Sequence, residues 1–284
     1  MYKAALVLEG GALRAQYTAG VLDTFMDQRV EFETVIGVSA GALCGVNYIS
    51  NQRGRSSDIN VNYRHDKNYI AMRRALVRKD VINLDWLFEE HGDSWEDFDR
   101  ETYDNSPMKF VVVATALMHG RAVYFDHPHG EDLVQTLKAS SAMPFITAPQ
   151  DTPQGLCLDG GIADSIPFEF AQLAGYDKIV VVRTRNREYR KSSDPAALDK
   201  AYEHAFSDYP EFVTAAESRP AMYNRQADEL VRLERAGKVF VIAPKEPVTV
   251  KRLEGDTDKL SMLHATGQHE AADRMMAMRM YMES

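Results

Sequence analysis

At 284 residues, with 45% hydrophobic and 26% charged side chains, the chain can bury a substantial core without a metal or disulfide staple. That composition excludes disordered, collagenous and coiled-coil classes. Lysine and arginine number 33 against 42 aspartate and glutamate, and the resulting net charge of −9 repels phosphate backbones and argues against a nucleic-acid binder. Cys44 and Cys157 stand in apolar company, as small buried thiols do, which predicts a reducing, cytoplasmic setting. The N-terminal apolar run is too short for a signal peptide, and nowhere do about 20 apolar residues run together as a membrane span requires.

The first 50 residues predict strand, turn, helix, strand, turn, helix. Ala4 to Leu8 reads as a strand buried on both faces and closed by Glu9, Gly10 and Gly11. A helix follows from about Ala15 to Gln28, with Tyr17, Val21, Leu22 and Phe25 at helical spacing. Thr34 to Val38 is the second strand, Ser39 sits at its end, and the small residues Ala40, Gly41, Ala42 and Gly45 open a tightly packed helix. From Arg53 to about Pro107 charges are dense and no buried-strand run occurs, which predicts an inserted helical segment. Lys109 to Leu117 and Ala122 to Phe125 form a hairpin or sheet edge, and a helix spans about Glu131 to Ser140. Further strands are expected at Leu156 to Leu158, Lys178 to Val182 and Lys238 to Ala243. Helices fill 195 to 236 and 257 to 283, the last one split at Gly267.

Three glycine-flanked segments can carry chemistry. Gly37-Val38-Ser39-Ala40-Gly41 places a G-x-S-x-G between strand and helix, as in a nucleophile elbow, though glycine and serine also make plain turns. Gly10-Gly11-Ala12-Leu13-Arg14-Ala15 ends the first strand with small residues whose N–H groups can form an anion nest, the rival being an ordinary strand-to-helix turn. Asp159-Gly160-Gly161 sets a carboxylate at a strand end, where it can take a serine proton or simply make a turn. No histidine has the context of a catalytic base. His264 and His269 are five apart, roughly 140° around a helix, and His127 and His129 beside Asp126 lack a third anchor for a metal.

Taken together and in this order, the segments resemble the patatin-like phospholipase family, the likeness extending over the ASSAMPFITAP stretch at 139 to 149 and DGGIADSIP at 159 to 167. The resemblance implies a three-layer α/β/α fold with a mostly parallel central sheet, and a Ser39–Asp159 dyad without histidine. It also implies an oxyanion loop at Gly10, Gly11 and Ala12, with Arg14 as its basic residue and Gly37, Gly41, Gly160 and Gly161 in support. Ala12 and Ala15 stand where the family carries glycine, so the loop's backbone angles are open. The expected unit is a single domain over 1–284: a catalytic core over about 1–190, a helical insert over about 53–107 and a helical extension over about 195–284.

The function expected is hydrolysis of lipid acyl esters, as in a phospholipase A, with no metal or organic cofactor. The acyl chain should rest on Met143 to Ile146 and the inserted helices. The rivals are a Ser-His-Asp esterase of the α/β-hydrolase type, a lipid-binding protein with little turnover, and acyl transfer to an alcohol. Basic runs at 64–79 and 183–191 predict peripheral, salt-sensitive contact with an anionic membrane, placing the protein in the cytoplasm or at the inner membrane face, unless they are solvated helix faces. The methionines at 262, 275, 276, 278, 280 and 282 are expected to pack a terminal helix onto the domain.

Overall fold

Successive side chains of the first strand point in opposite directions, and both directions lead into apolar packing. In the computed structural model, which describes residues 1–70, 81–88, 95 and 97–284, β1 (Tyr2–Leu8) sends Leu6 and Leu8 into one core and Ala5 and Val7 into another. Because neither face meets water, the strand reads as an unbroken apolar run instead of an alternating one. The other strands are β2 (Phe32–Val38), β3 (Lys109–Ala116), β4 (Ala122–Asp126), β5 (Cys157–Asp159), β6 (Ile179–Val182) and β7 (Phe240–Ile242). They form one sheet in the order β4-β3-β2-β1-β6-β7, with β5 beside β3. Pairing is parallel except for β4 and β5, both antiparallel to β3.

The register along β3 decides which strand ends meet. β2 lies along one edge as far as Val38, opposite Val113, while β4 takes the other edge from Val111 to Thr115. β5 pairs with Ala114, Thr115 and Ala116, so it occupies the edge that β2 has left. Asp159 lies opposite Ala114, one position beyond the end of β2.

The α-helices among the described residues are α1 (Gln16–Asp27), α2 (Ala40–Ile49), α3 (Arg55–Asn62), α4 (Leu84–Phe88), α5 (Arg100–Asp104), α6 (Gly130–Ser141), α7 (Phe168–Leu173), α8 (Ala196–Ala205), α9 (Pro210–Arg235) and α10 (Thr257–Glu283). One face of the sheet is covered by α1, α2, α6 and α10 through residues such as Tyr17, Tyr48, Leu137 and Leu260. The other is covered by α7 and α9 through Phe168, Ala171, Tyr223 and Leu230. This is the expected three-layer α/β/α arrangement around a mostly parallel sheet. No described helix is long and apolar enough to cross a membrane.

The inserted segment, where it is described, carries the short helices α3, α4 and α5 joined by turns and an isolated bridge between Ile70 and Ile82, and its aromatic residues cluster. Trp86 lies 5.3 Å from Tyr63 and 5.5 Å from Tyr69 between ring centroids, and Trp95 stacks on Phe98 at 4.3 Å. The expected helix over 195–236 is two helices, broken at 206–209 and restarted by Pro210, whose missing N–H suits a first helical position. α7 was not anticipated, since six residues carry too little periodicity to distinguish them from a loop.

Gly267 does not split the C-terminal region, contrary to expectation; α10 runs through it unbroken. A Cβ on Gly267 would collide with the Tyr17 carbonyl oxygen, and one on Gly20 with that of His264, so the two glycines let α1 and α10 touch backbone to backbone. Tyr17 donates to Glu270 at 2.9 Å, and His264 Nε2 lies 2.8 Å from Asp23 across the same contact. The methionines divide: Met275 and Met278 are buried and Met282 packs on the core, but Met262, Met276 and Met280 are exposed on the far side of α10. If Gly267 were only a weak point in the helix, Gly267→Ala would stabilise by about 1 kcal/mol. Overpacking against Tyr17 instead predicts a loss of about 1–3 kcal/mol, read by urea unfolding.

Candidate active site

β2 ends at Val38, and Ser39 turns the chain with φ 56° and ψ −131° before α2 begins. A non-glycine residue with positive φ is strained and persists only where its surroundings hold it. Two neighbours must be glycine: a Cβ on Gly37 would stand 2.6 Å from Ala42 Cα, and one on Gly41 would strike the Leu8 carbonyl oxygen. Ser140, near the end of α6, supplies the restraint. Its Oγ accepts the Ser39 N–H at 2.7 Å and donates to the Val113 carbonyl at 2.6 Å. Sequence reasoning gave Ser140 no role, because nothing in its local pattern separates it from Ser141 beside it.

Ser39 Oγ donates to Asp159 Oδ2 at 2.7 Å, and both side chains are buried. The other carboxylate oxygen accepts the Gly161 N–H at 2.8 Å, and the Asp159 N–H is bound to the Ala142 carbonyl, so the carboxylate is fixed at both ends. Gly161 in turn offers its carbonyl to Arg219 Nε at 2.7 Å. A hydroxyl so bonded can pass its proton to the carboxylate as the oxygen attacks an electrophile.

At the end of β1, the N–H groups of Gly10, Gly11 and Ala12 have no hydrogen-bond partner among the described residues. Ala12 takes φ 48°, so the chain keeps the left-handed geometry that glycine favours in spite of its methyl group, at a cost of about 1–2 kcal/mol. Arg14 follows in a 3₁₀ turn, Ala12–Ala15, with its Nε buried and without a hydrogen-bond partner among the described residues. Burial, then Arg185 and Arg252, push its guanidinium down to about 10. Behind the loop, Glu9 lies 3.6 Å from the buried Arg183 and accepts from Tyr223 Oη at 2.7 Å and the Thr184 N–H at 2.7 Å.

Two cavities meet at Ser39, sharing Ala12 and Met143 in their walls. One is apolar and runs under the insert, past Leu43, Ile59, Leu87, Phe88 and Trp95. From the loop expected to hold an acyl chain only Met143 lines it; Phe145 instead packs on Tyr202, 4.9 Å between centroids, because that loop turns toward α8. The other cavity is polar, lined by Arg14, Arg185, Lys191, Arg219 and Arg252. Much of the basic run 183–191 therefore turns inward: Arg183 is buried, Arg185 and Lys191 line the cavity, and Arg187 and Arg190 pair with Glu234 and Asp228. In the other basic run Arg64 donates to the carbonyls of Leu253 and Glu254, and 71–79 lie outside the described residues.

Residues 6–171, more than half of the chain, match the family model described as patatin-like phospholipase. The chain belongs to the patatin-like phospholipase family. Residues 209–283 also match a domain of unknown function, DUF6363. Among curated proteins the chain is 31% identical over 194 residues to the uncharacterized protein YjjU of Escherichia coli K12, covering 63% of this chain and 51% of that one. It is 27% identical over 180 residues to an uncharacterized NTE family protein of Mycobacterium tuberculosis H37Rv, covering 61% and 46%. The chain thus spans about half the length of these relatives. Among solved structures, VipD from Legionella pneumophila aligns over 97% of this chain and 67% of its own, with 13% identity and a TM-score of 0.45.

Within this patatin-like site, no histidine lines either cavity at Ser39 among the described residues; His91 lies outside them. Asp164, the nearest competing carboxylate in sequence, is committed elsewhere, to Tyr124 at 2.8 Å and Gln226 at 2.6 Å, and burial pushes its carboxyl above the ordinary range. The Cys44 thiol borders the apolar cavity, but burial pushes it up to about 12, so it stays protonated and inert. Replacing Ser140 by alanine would leave the Ser39 N–H buried without a partner. We expect Ser140→Ala to lower unfolding free energy by about 1–3 kcal/mol, measured by denaturant titration.

Proposed function

We propose that this protein hydrolyses acyl esters of lipids, with Ser39 as nucleophile and Asp159 as its base. The observation that carries this reading is the 2.7 Å hydrogen bond between Ser39 Oγ and Asp159 Oδ2 at the mouth of an apolar cavity. Membership of the patatin-like phospholipase family supports a lipid substrate and an acyl-ester reaction. Ser39 Oγ attacks the ester carbonyl carbon while its proton passes to Asp159. The carbonyl oxygen becomes an oxyanion held by the free N–H groups of Gly10, Gly11 and Ala12. Collapse of this adduct breaks the ester C–O bond, Asp159 returns the proton to the departing alcohol, and an acyl-Ser39 remains. Water, deprotonated by the same carboxylate, then attacks the acyl carbon; the bond from that carbon to Oγ breaks, Asp159 returns the proton to Ser39, and the fatty acid leaves. The acyl chain lies along Leu43, Ile59 and the apolar side chains of α4.

The chain works as one folded unit on this reading, because α10 packs on α1 and α9 closes the far face of the sheet beside Asp159. A Ser-His-Asp triad would need a histidine at the Ser39 cavities, and the described residues offer none.

Ser39→Ala and Asp159→Asn should each lower hydrolysis of a short-chain p-nitrophenyl ester by about 10²-fold or more, the lower range for loss of general-base assistance. Asp164→Asn should retain most of the activity while lowering stability. An organophosphonate should label Ser39 in the parent and in each of the eight single His→Ala variants. Labelling lost in one folded histidine variant would restore the triad. A parent that binds lipid yet shows neither labelling nor turnover would be a binding protein.

A further inference from the structure

We propose that the polar cavity beside Ser39 is a phosphate site, selecting lipid esters with a purely anionic headgroup over those carrying choline or ethanolamine. The headgroup assignment rests on the hydrolase reading; the anion site itself does not.

Five basic side chains line this cavity: Arg14, Arg185, Lys191, Arg219 and Arg252. Among the described residues none has a carboxylate within 4.0 Å, although ion pairs are frequent elsewhere in the chain. The cavity's own carboxylates are taken. Glu9 serves Arg183, Tyr223 and the Thr184 N–H, and Asp159 serves Ser39 and the Gly161 N–H. Like charges crowded together without a direct ion pair are unfavourable, and Lys191 records it: burial, then Arg219 and Arg252, push its ammonium down to about 6 against the pull of Glu9 and Asp159, so a bound anion is what would restore its charge. A multiply charged anion relieves that repulsion, and guanidinium groups bind phosphate oxygens in paired hydrogen bonds.

The same lining disfavours an ammonium. No carboxylate remains free to receive one, and the tyrosines that would form an aromatic cage are already covered by basic side chains, Arg185 4.4 Å from the Tyr189 centroid and Lys191 4.3 Å from that of Tyr223. Because the apolar and cationic cavities meet at Ser39, a glycerophospholipid can lay its acyl chain in one and its phosphate in the other, with the ester between them. Of the five cations, only Arg14 lies within residues 6–171, and Arg219 and Arg252 lie in the 209–283 segment of unknown function. That segment thereby acquires a role, completing the headgroup pocket.

The test uses Ser39→Ala protein, which cannot turn ligand over, titrated by calorimetry with monomeric lysophosphatidate, lysophosphatidylcholine, monoacylglycerol of the same chain and inorganic phosphate. Lysophosphatidate should bind at least about tenfold more tightly than the other three, with affinity falling as salt rises. Adding Lys191→Gln or Arg252→Gln should each weaken it by about tenfold, the loss of one charge-assisted contact. The Arg252 side chain is exposed, so that variant carries the test if Lys191→Gln does not fold. Equal affinity for the three lipids, or indifference to both substitutions, overturns the proposal. Inorganic phosphate binding as tightly as lysophosphatidate makes this a small-anion site and overturns the headgroup assignment. If the parent cleaves no ester yet lysophosphatidate binds as described, the hydrolase reading fails and the phosphate site stands. If the parent cleaves esters without phosphate preference in binding, only the phosphate site fails.

Discussion

The site depends on one edge of one strand being shared. β2 uses the edge of β3 up to Val113, and β5 continues along it from Ala114. Where the two meet, the last residue of β2 hands the chain to Ser39 and the last residue of β5 is Asp159. Their 2.7 Å hydrogen bond joins residues 120 apart in sequence, and it follows from register rather than from any flexible loop. A slip of one residue in either pairing would turn one of the two side chains to the opposite face of the sheet. Ladder hydrogen bonds and two apolar cores therefore hold the Ser39–Asp159 geometry.

Strain at the site is answered by restraint close by. Ser39 and Ala12 both hold positive φ, each at a strand end where the chain must reverse into a helix. Ser140 bridges the Ser39 N–H to the Val113 carbonyl, tying the elbow to β3 itself. Beneath the glycine loop, Glu9, Arg183 and Tyr223 link the ends of β1 and β6 to α9. A buried ion pair contributes little net stability, but losing one partner leaves a stranded charge, so it makes departure from this arrangement costly. The loop that presents free N–H groups thus stands on a rigid base.

The two cavities divide the chemistry by the origin of their walls. Apolar surface comes from α2 and the insert, and cations come chiefly from the chain after β6. Their junction at Ser39 sets that hydroxyl between a greasy channel and a charged pocket, a shape that suits an amphipathic ligand. Net acidity of the whole chain and local positive charge coexist because Arg14, Arg185, Lys191, Arg219 and Arg252, from separate segments, converge on one cavity.

Much of this was legible without coordinates. Strands buried on both faces leave continuous apolar runs, and a strained serine turn needs small neighbours, so β1, β2, Ser39 and Asp159 were marked by local pattern. The patterns fail where a residue's role depends on what lies across the fold. Gly267 reads as a helix breaker until α1 is laid against it, and Ser140 is an ordinary serine until Val113 and the Ser39 N–H come within reach. Lys191, Arg219 and Arg252 look like solvated charges in three separate segments, because charge carries no periodicity that says which way it points. By itself the sequence determined the buried strands, the turn at Ser39 and the candidate carboxylate at Asp159, since these are set by neighbours a few positions away, though not α7 or the break at 206–209. Only the tertiary structure decided which cations converge, which glycines are contacts and which serine holds the elbow, because those depend on distances between segments that no local pattern encodes.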